Sequence, residues 1–156
     1  MYLDFYGFQE KPFSLTPDPR FVFLSKNHLE AFAHLLYGIN NRAGFIVLTG
    51  EVGSGKTTLM RALLGQLDPD HHRTALIFNP SPSPRRLLWN INREFGVSTS
   101  TVAGSGPLDA LNQFLLRENE EGRTVVLVID EAQNLKTPAL EQVRLISNLE
   151  TDREKL

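Results

Sequence analysis

The sequence of 156 residues contains no cysteine and carries a formal net charge of only −2. Without cysteine, the chain cannot form disulfides, use a thiolate in catalysis or bind a metal through sulfur. The near balance of charges means that no strong field favours nucleic acid or an acidic surface. No run of about 18 apolar residues occurs, so we expect no transmembrane helix. The N-terminus also lacks the basic start and apolar run of a signal peptide, which favours a cytoplasmic protein or the cytoplasmic part of a larger one.

Residues 1–24 differ in composition from the rest of the chain, and they form the first of two predicted regions, followed by residues 25–156. Pro12, Pro17 and Pro19 lie close together, and proline interrupts a regular helix and restricts the residue before it. The segment is also rich in aromatic side chains, among them Phe5, Tyr6, Phe8, Phe13, Phe21 and Phe23. We therefore predict an extended strap that its rings hold against the rest of the protein.

Helical and strand patterns alternate along residues 25–156. Continuous apolar runs, typical of strands buried on both faces, occur at residues 45–49, 74–78 and 125–129. Apolar residues recur at helical spacing between and after these runs. Residues suited to begin helices precede the helical patterns, namely Ser25, Ser83 with Pro84, Pro107, and Thr137 with Pro138. The alternation predicts an α/β fold, with a parallel sheet and helices on both faces.

Residues 50–57 match the Gly-x-x-x-x-Gly-Lys-Thr pattern of a phosphate-binding loop in full. A predicted strand precedes the loop, and a predicted helix over residues 56–67 follows it. The glycines let successive backbone N–H groups turn inward, and the helix N-terminus adds a partial positive charge. The predicted nucleotide-binding residues are Gly50, Glu51, Val52, Gly53, Ser54, Gly55, Lys56, Thr57 and Thr58.

Lys56 and Thr57 have specific roles in this prediction. Lys56 would reach the β- and γ-phosphates of ATP, and the Thr57 hydroxyl would bind Mg²⁺. The alternative is a glycine-rich turn with an exposed lysine, which the flanking strand and helix patterns disfavour.

Two carboxylates, Asp130 and Glu131, directly follow the apolar run at residues 125–129. The predicted strand thus delivers both carboxylates at its carboxyl end, where ligands bind in open α/β sheets. Asp130 would hold Mg²⁺ through its water shell, and Glu131 would orient and polarise the attacking water. Taken alone, two acids would also fit an exposed turn. The pair resembles the P-loop ATPases with a catalytic glutamate, which implies hydrolysis rather than transfer to a small acceptor.

Several segments spread over nearly the whole chain carry a further resemblance, namely residues 6–8, 12–21, 33–39, 50–57, 130–135 and 147–151, of which residues 6–8 are the most specific. They resemble the ExeA-like AAA+ ATPases of bacterial type II secretion, the general secretion pathway protein A family. The resemblance implies a homo-oligomeric ATPase that uses ATP and Mg²⁺ and helps to assemble the secretin with an inner-membrane partner. It also implies a transmembrane helix and a periplasmic peptidoglycan-binding domain outside this sequence, which would attach a cytoplasmic ATPase to the inner membrane.

The resemblance gives Asn79 a catalytic role, because AAA+ proteins place a polar residue at the end of the second strand. That residue holds the catalytic glutamate until partners engage. An asparagine directly before Pro80 is also typical of a turn, so two interpretations stay open. Phe8 and Phe13 could similarly touch adenine, although aromatic rings more commonly anchor a core.

The resemblance further implies a fourth strand between the phosphate-loop strand and the strand that ends at Asp130. The sequence shows only three strand patterns. Without the fourth strand, the two strands that should flank it would face a gap. Unpaired backbone N–H and C=O groups would line this gap, and each costs on the order of 1–3 kcal/mol. We therefore expect a P-loop fold of AAA+ type, truncated before its later strands and lid, in a fragment that binds ATP but hydrolyses it slowly.

The motifs do not exclude related ATPases of pilus biogenesis and exopolysaccharide export, and two other functions also remain open from the sequence. An ATPase that regulates DNA transposition would share these motifs, although the near-neutral charge disfavours nucleic acid. A nucleotide-gated scaffold with negligible turnover would keep the phosphate loop without needing Glu131 for hydrolysis.

Overall fold

The computed structural model describes residues 2–9, 23–98 and 106–148. In chain order its elements are α1 (Tyr2–Tyr6), α2 (Lys26–Asn40), α3 (Lys56–Gln66), β1 (His72–Ile77), α4 (Pro84–Glu94), α5 (Pro107–Glu120), β2 (Thr124–Ile129), a 3₁₀ turn (Ala132–Asn134) and α6 (Thr137–Asn148). The predicted alternation of helices and strands after residue 50 is confirmed. Phe13, the strap prolines and residues 99–105 lie outside the described residues.

β1 and β2 pair in parallel, from His72 opposite Thr124 to Ile77 opposite Ile129. The two apolar runs thus form strands as predicted, and each strand begins slightly earlier than its run. Parallel neighbours need a long crossover connection, which α4 and α5 provide. Because the strands end in register, the residues after Ile77 and Ile129 emerge at the same edge of the sheet.

Apolar side chains cover both faces of this strand pair. On one face, Val125, Leu127 and Ile129 pack against a core that α4, α5 and α6 form. On the other face, Val126 packs against a second core between α2 and α3. Successive residues of a strand point to opposite faces, so only a continuous apolar run can serve both cores. The predicted covering of both faces by helices is confirmed.

The two cores contain fully buried aliphatic side chains. Leu87, Ile91 and Leu111 have no exposed surface in the first core, and Leu63 in the second core is 1% exposed. Burial of such a side chain contributes roughly 1.5–3 kcal/mol relative to leaving it in water. These cores therefore hold α3 on one face of the strand pair and α4 to α6 on the other.

The prediction of a strand at residues 45–49 is wrong. The segment has no strand hydrogen-bonding pattern, because within the described ranges no neighbouring strand pairs with it. Leu48 packs against the core between α2 and α3, whereas Phe45 is 57% exposed and Val47 is 82% exposed. Composition alone cannot make a strand, because the strand is defined by a partner that supplies its backbone hydrogen bonds.

Ser25 is the N-cap residue of α2, as the sequence predicts. The Ser25 hydroxyl oxygen accepts the His28 N–H at 3.4 Å, and His28 Nδ1 accepts the Ser25 N–H at 3.3 Å. This reciprocal arrangement is a capping box with histidine in the place that glutamate or glutamine usually takes. Ser83 and Pro84 also lie at the predicted start of α4, but the Ser83 side chain makes no capping bond.

The first part of the predicted extended strap is helical instead. α1 ends at Tyr6, well before the first proline, so the proline constraint does not apply to it. Phe5 and Tyr6 are 80% and 65% exposed. Their ring centroids lie 4.9 Å apart, and the Tyr6 and Phe8 rings stack at 5.7 Å. These rings contact one another, so the expectation that they hold the strap against the core is wrong for them.

A nearly buried carboxylate ties the start of the sheet to α5. Glu118 accepts hydrogen bonds from Arg123 and from Arg73 Nε, the latter at 3.2 Å. Its side chain is 8% exposed, whereas those of Arg123 and Arg73 are 19% and 50% exposed. The bond from Arg123, followed by the charges of both arginines, holds the pKa of Glu118 below its usual 4.5.

None of the helices in the three described ranges is both long and apolar enough to cross a membrane.

We predict that Glu118→Gln lowers the midpoint of thermal unfolding by on the order of 5 °C, because two arginines lose their shared anion. The lowered pKa means that the folded chain binds fewer protons than the unfolded chain in acid. The contribution of ionised Glu118 to the free energy of unfolding is therefore complete above pH 4.5. It is lost as the pH falls through the lowered pKa of Glu118. Thermal melts of the unmodified chain and of Glu118→Gln should be recorded at pH 7 and at decreasing pH. The difference between their unfolding midpoints should shrink as the pH falls.

Glu141→Gln is the matched control for this experiment. Glu141 also binds an arginine, Arg144, at 2.6 Å, but both side chains are more than half exposed. An exposed ion pair of this kind contributes little to the stability of the fold. Equal effects of the two substitutions at pH 7 would contradict the prediction.

Candidate functional site

The loop between residue 49 and α3 adopts the shape that its glycines allow. Gly53 and Gly55 have φ angles of +78° and +85°, in the left-handed region that other residues rarely adopt. A Cβ atom at Gly50 would lie 2.8 Å from the Ser54 hydroxyl oxygen. Glu51 and Val52 form the exposed tip of the loop. The loop is therefore a tight turn whose backbone leads directly into the N-terminus of α3.

Lys56 folds back over this loop from the first position of α3. Its Nζ donates hydrogen bonds to the carbonyl oxygens of Gly50 at 2.9 Å and Glu51 at 2.7 Å. The charge of Lys56 thus lies within the curve of the loop, where the prediction requires a phosphate-binding group. Thr58, which the sequence also predicts to bind nucleotide, is half-buried in the first turn of α3.

Thr57 and Asp130 come together although 73 residues separate them. The Thr57 hydroxyl donates a hydrogen bond of 2.7 Å to Asp130 Oδ2. Thr57 is in the first turn of α3, and Asp130 follows the last residue of β2. The packing of α3 on the sheet therefore places the start of α3 against the carboxyl end of β2, the end at which ligands bind in open α/β sheets.

The second oxygen of Asp130 has a separate partner. Oδ1 accepts the backbone N–H of Glu131 at 2.9 Å, and the Asp130 N–H donates to the carbonyl oxygen of Ile77 at 2.8 Å. The carboxylate is thus oriented through both oxygens and through its own backbone.

A hydroxyl and a carboxylate oxygen at hydrogen-bonding distance are the hard oxygen ligands that Mg²⁺ prefers. The donor set of Thr57 and Asp130 therefore fits that cation. Within the described residues, no cluster of three or more histidine, aspartate or glutamate side chains offers an alternative metal site. A single protein carboxylate is typical of Mg²⁺ that is bound together with nucleotide phosphates.

Glu131 occupies an unusual backbone position beside this pair. Its φ and ψ angles of 54° and 38° lie in the left-handed region, which is uncommon for a residue with a side chain and is often found at functional sites. Its exposed carboxylate accepts a hydrogen bond from the Gln133 side chain. Glu131 is therefore next to the Thr57–Asp130 pair, with its carboxylate held by a neighbour two residues along.

Asn79 emerges at the same edge of the sheet, two residues after Ile77, just as Glu131 follows two residues after Ile129. The backbone therefore places the two residues at equivalent positions on neighbouring strands. Nevertheless, no hydrogen bond joins Asn79 to Glu131 in the part of the chain that the structure describes. The predicted restraint of the glutamate by Asn79 is not present here, and Gln133 makes the contact instead.

Two residues near the site have no role in the sequence-based prediction. Gln133 lies in the segment Asp130-Glu131-Ala132-Gln133, where an amide close to a carboxylate could have suggested the contact. His28 Nε2 lies 2.8 Å from the carbonyl oxygen of Ser54 in the phosphate loop. No local pattern joins residues 26 positions apart, so the sequence offers no comparable signal for His28.

Together, the turn with left-handed glycines, its folded-back lysine and the hydroxyl–carboxylate pair at the strand end define a nucleotide-binding domain of the P-loop class.

Comparison with known proteins assigns the family. The model of the AAA domain family matches residues 39–156, most of the chain. The chain belongs to this family. It is also 46% identical over 157 residues to general secretion pathway protein A of Aeromonas hydrophila. This supports the predicted resemblance to ExeA-like AAA ATPases.

The matched relatives are much longer than this chain. The alignment with the secretion protein covers 100% of this chain but 28% of the relative. Disease resistance protein RPP2A of Arabidopsis thaliana is 25% identical over 113 residues, which cover 70% of this chain and 8% of that protein. No solved structure matches the chain significantly.

The backbone of Gly55 provides a direct test of the loop geometry. Alanine at this position must adopt a φ of +85°, and its Cβ would lie 3.2 Å from His28 Nε2. A left-handed backbone costs such a residue roughly 1–2 kcal/mol. We predict that Gly55→Ala weakens ATP binding about 5–30-fold, measured by titration with a fluorescent ATP analogue.

Gly65→Ala is the matched control, because Gly65 lies within α3 and a Cβ there would meet no atom within 4 Å. It should leave ATP binding unchanged. Equal affinities of the Gly55→Ala variant and the unmodified chain would show that the loop does not bind nucleotide in this shape.

Proposed function

We propose that the chain binds Mg²⁺-ATP and hydrolyses it, as the ATPase module of a protein of the general secretion pathway. The observation that carries this proposal is the 2.7 Å hydrogen bond between Thr57 and Asp130. It joins the first turn of α3 to the carboxyl end of β2, which supports one site for the groups that we propose to bind phosphate and metal.

In this proposal the backbone N–H groups of the loop and the Lys56 ammonium bind the β- and γ-phosphates. Thr57 and Asp130 would hold Mg²⁺, which would neutralise charge on the phosphate oxygens. The left-handed glycines keep the N–H groups turned toward the ligand. Positioning and charge compensation account for most of the catalysis in phosphoryl transfer, because little covalent chemistry is required of the protein.

Glu131 is the group we assign to the attacking water. Its carboxylate accepts a proton or a hydrogen bond from that water and directs it toward the γ-phosphate. The hydrogen bond from Gln133 orients the glutamate side chain. Asn79 emerges at the same edge, and we retain it as a candidate to bind Glu131 in another conformation.

The role in secretion rests on the similarity to general secretion pathway protein A. We propose that the ATPase acts as a homo-oligomer on the cytoplasmic side of the inner membrane and assists assembly of the secretin. Regions outside this sequence would contact the inner-membrane partner and peptidoglycan. A role with DNA transposition is disfavoured because the net charge of −2 offers little attraction to phosphate backbones.

The first experiment is a titration of the chain with a fluorescent ATP analogue, with and without Mg²⁺. We expect saturable binding that Mg²⁺ strengthens and that Lys56→Ala abolishes. Thr57→Val removes the hydroxyl and should weaken Mg²⁺-dependent binding roughly 10–100-fold, the effect of losing one interaction with a charged group.

Thr57→Ser keeps the hydroxyl and is the matched control, so its affinity should remain near that of the unmodified chain. If serine and valine have the same effect, the hydroxyl does not bind the metal, and the proposed site is incorrect.

A second experiment separates hydrolysis from binding. Glu131→Gln keeps the size of the side chain but cannot accept a proton, so we expect turnover to fall about 10²–10⁴-fold while ATP affinity is retained. Phosphate release is followed over hours, so that slow turnover is also detected. Glu141→Gln, on the exposed face of α6, should have no effect.

Unchanged turnover in Glu131→Gln would remove Glu131 from the mechanism. Saturable binding without any turnover in the unmodified chain would favour a nucleotide-gated scaffold instead.

A further inference from the structure

His28 belongs to α2, but its side chain contacts the phosphate loop. Its Nε2 lies 2.8 Å from the carbonyl oxygen of Ser54, 26 residues further along the chain. The ring also lies against Gly55, since a Cβ atom at that glycine would be 3.2 Å from His28 Nε2. α2 and α3 share an apolar core that includes Leu35, Leu59 and Leu63, so the helix that carries His28 is fixed relative to the loop.

The cap of α2 decides which nitrogen of His28 carries the proton. The backbone N–H of Ser25 can only donate, and it points at His28 Nδ1 at 3.3 Å. The Ser25 hydroxyl lies 2.7 Å from the same nitrogen. Nδ1 is therefore the acceptor of the neutral ring, which leaves the proton on Nε2. Since a carbonyl oxygen only accepts, Nε2 donates to Ser54.

This hydrogen bond fixes the plane of one peptide in the loop. The peptide unit is planar and trans, so its C=O and N–H groups point in opposite directions. Because His28 holds the Ser54 carbonyl toward α2, the N–H of Gly55 points to the opposite side of that peptide. Lys56 and Thr57 follow immediately, so a rotation of this peptide would also disturb the start of α3.

We propose that His28 is a positioning residue, which orients the Ser54–Gly55 peptide so that the Gly55 N–H can bind a phosphate oxygen. This inference rests on the proposed binding of ATP by the loop. It assigns the N-terminal cap of α2 a second role: the same imidazole closes the cap through Nδ1 and supports the phosphate loop through Nε2. Ser25 acts through His28 by fixing its tautomer.

The test compares two substitutions of His28 with a control on the same helix. Glutamine places an amide N–H at about the position of His28 Nε2, so it can donate to Ser54 as the imidazole does. Methionine is similar in length but offers no donor. His34 is exposed and contacts only Glu30, at 3.9 Å, among the ion pairs of the described residues, so His34→Met is the matched control.

We expect His28→Met to weaken binding of the fluorescent Mg²⁺-ATP analogue about tenfold, the effect of one lost hydrogen bond and a misoriented donor. His28→Gln should bind within about threefold of the unmodified chain. His34→Met should bind normally. Thermal melts of all variants identify any general loss of folding, which would lower affinity for another reason.

Equal losses in His28→Gln and His28→Met, with normal melting, would overturn the proposal, because the donor would then have no specific role. Unchanged binding in His28→Met would also overturn it.

A measurement without nucleotide keeps this inference separate from the proposed function. Imidazole ¹⁵N spectra of the free chain should show His28 as the tautomer protonated at Nε2, and Ser25→Ala should alter that signal. Protonation at Nδ1 would overturn the inference whether or not ATP binds. The expected tautomer in a chain that does not bind ATP would instead contradict the proposed function alone.

Discussion

The hydrogen bond between Thr57 and Asp130 depends on burial of both faces of the β1–β2 pair. One face needs α4, α5 and α6, and the other needs α3 with α2, because the apolar side chains of β2 alternate between the two cores. α3 must therefore lie against the sheet, and its N-terminus reaches the edge at which β2 ends. The position of the site is a consequence of hydrophobic packing that involves none of the binding residues.

At that edge Asp130 and Glu131 each have a defined partner before any ligand is considered. Asp130 uses one oxygen for Thr57 and the other for the Glu131 backbone. Glu131 itself is held in a left-handed backbone conformation, and Gln133 binds its carboxylate. This arrangement separates two neighbouring carboxylates. That of Asp130 points toward the phosphate loop, while that of Glu131 stays accessible to solvent. Such a division is what a metal ligand and a group that activates water require.

Much of this arrangement could be predicted from local sequence. Continuous apolar runs predict strands at residues 74–78 and 125–129, and the spacing of glycines, lysine and threonine predicts the loop. The run at residues 45–49 has similar composition but forms no strand, since its backbone lacks a pairing partner among the described residues. The local segment could have suggested that Gln133 contacts Glu131, but no local pattern predicts that His28 contacts Ser54, 26 residues away. The His28 contact depends on a side-chain orientation that arises only after α2 and α3 pack.

The folded-back position of Lys56 has a consequence for which ligands the loop accepts. Its ammonium group already satisfies two of its three N–H donors with the carbonyl oxygens of Gly50 and Glu51. A ligand oxygen that takes these donors gains only the difference between its own hydrogen bonds and those to the neutral carbonyls. Charged acceptors form hydrogen bonds roughly twice as strong as neutral ones. A polyanion can therefore replace the carbonyl oxygens as the partner of Lys56 with a gain in free energy. A neutral ligand oxygen gains nothing by the same exchange.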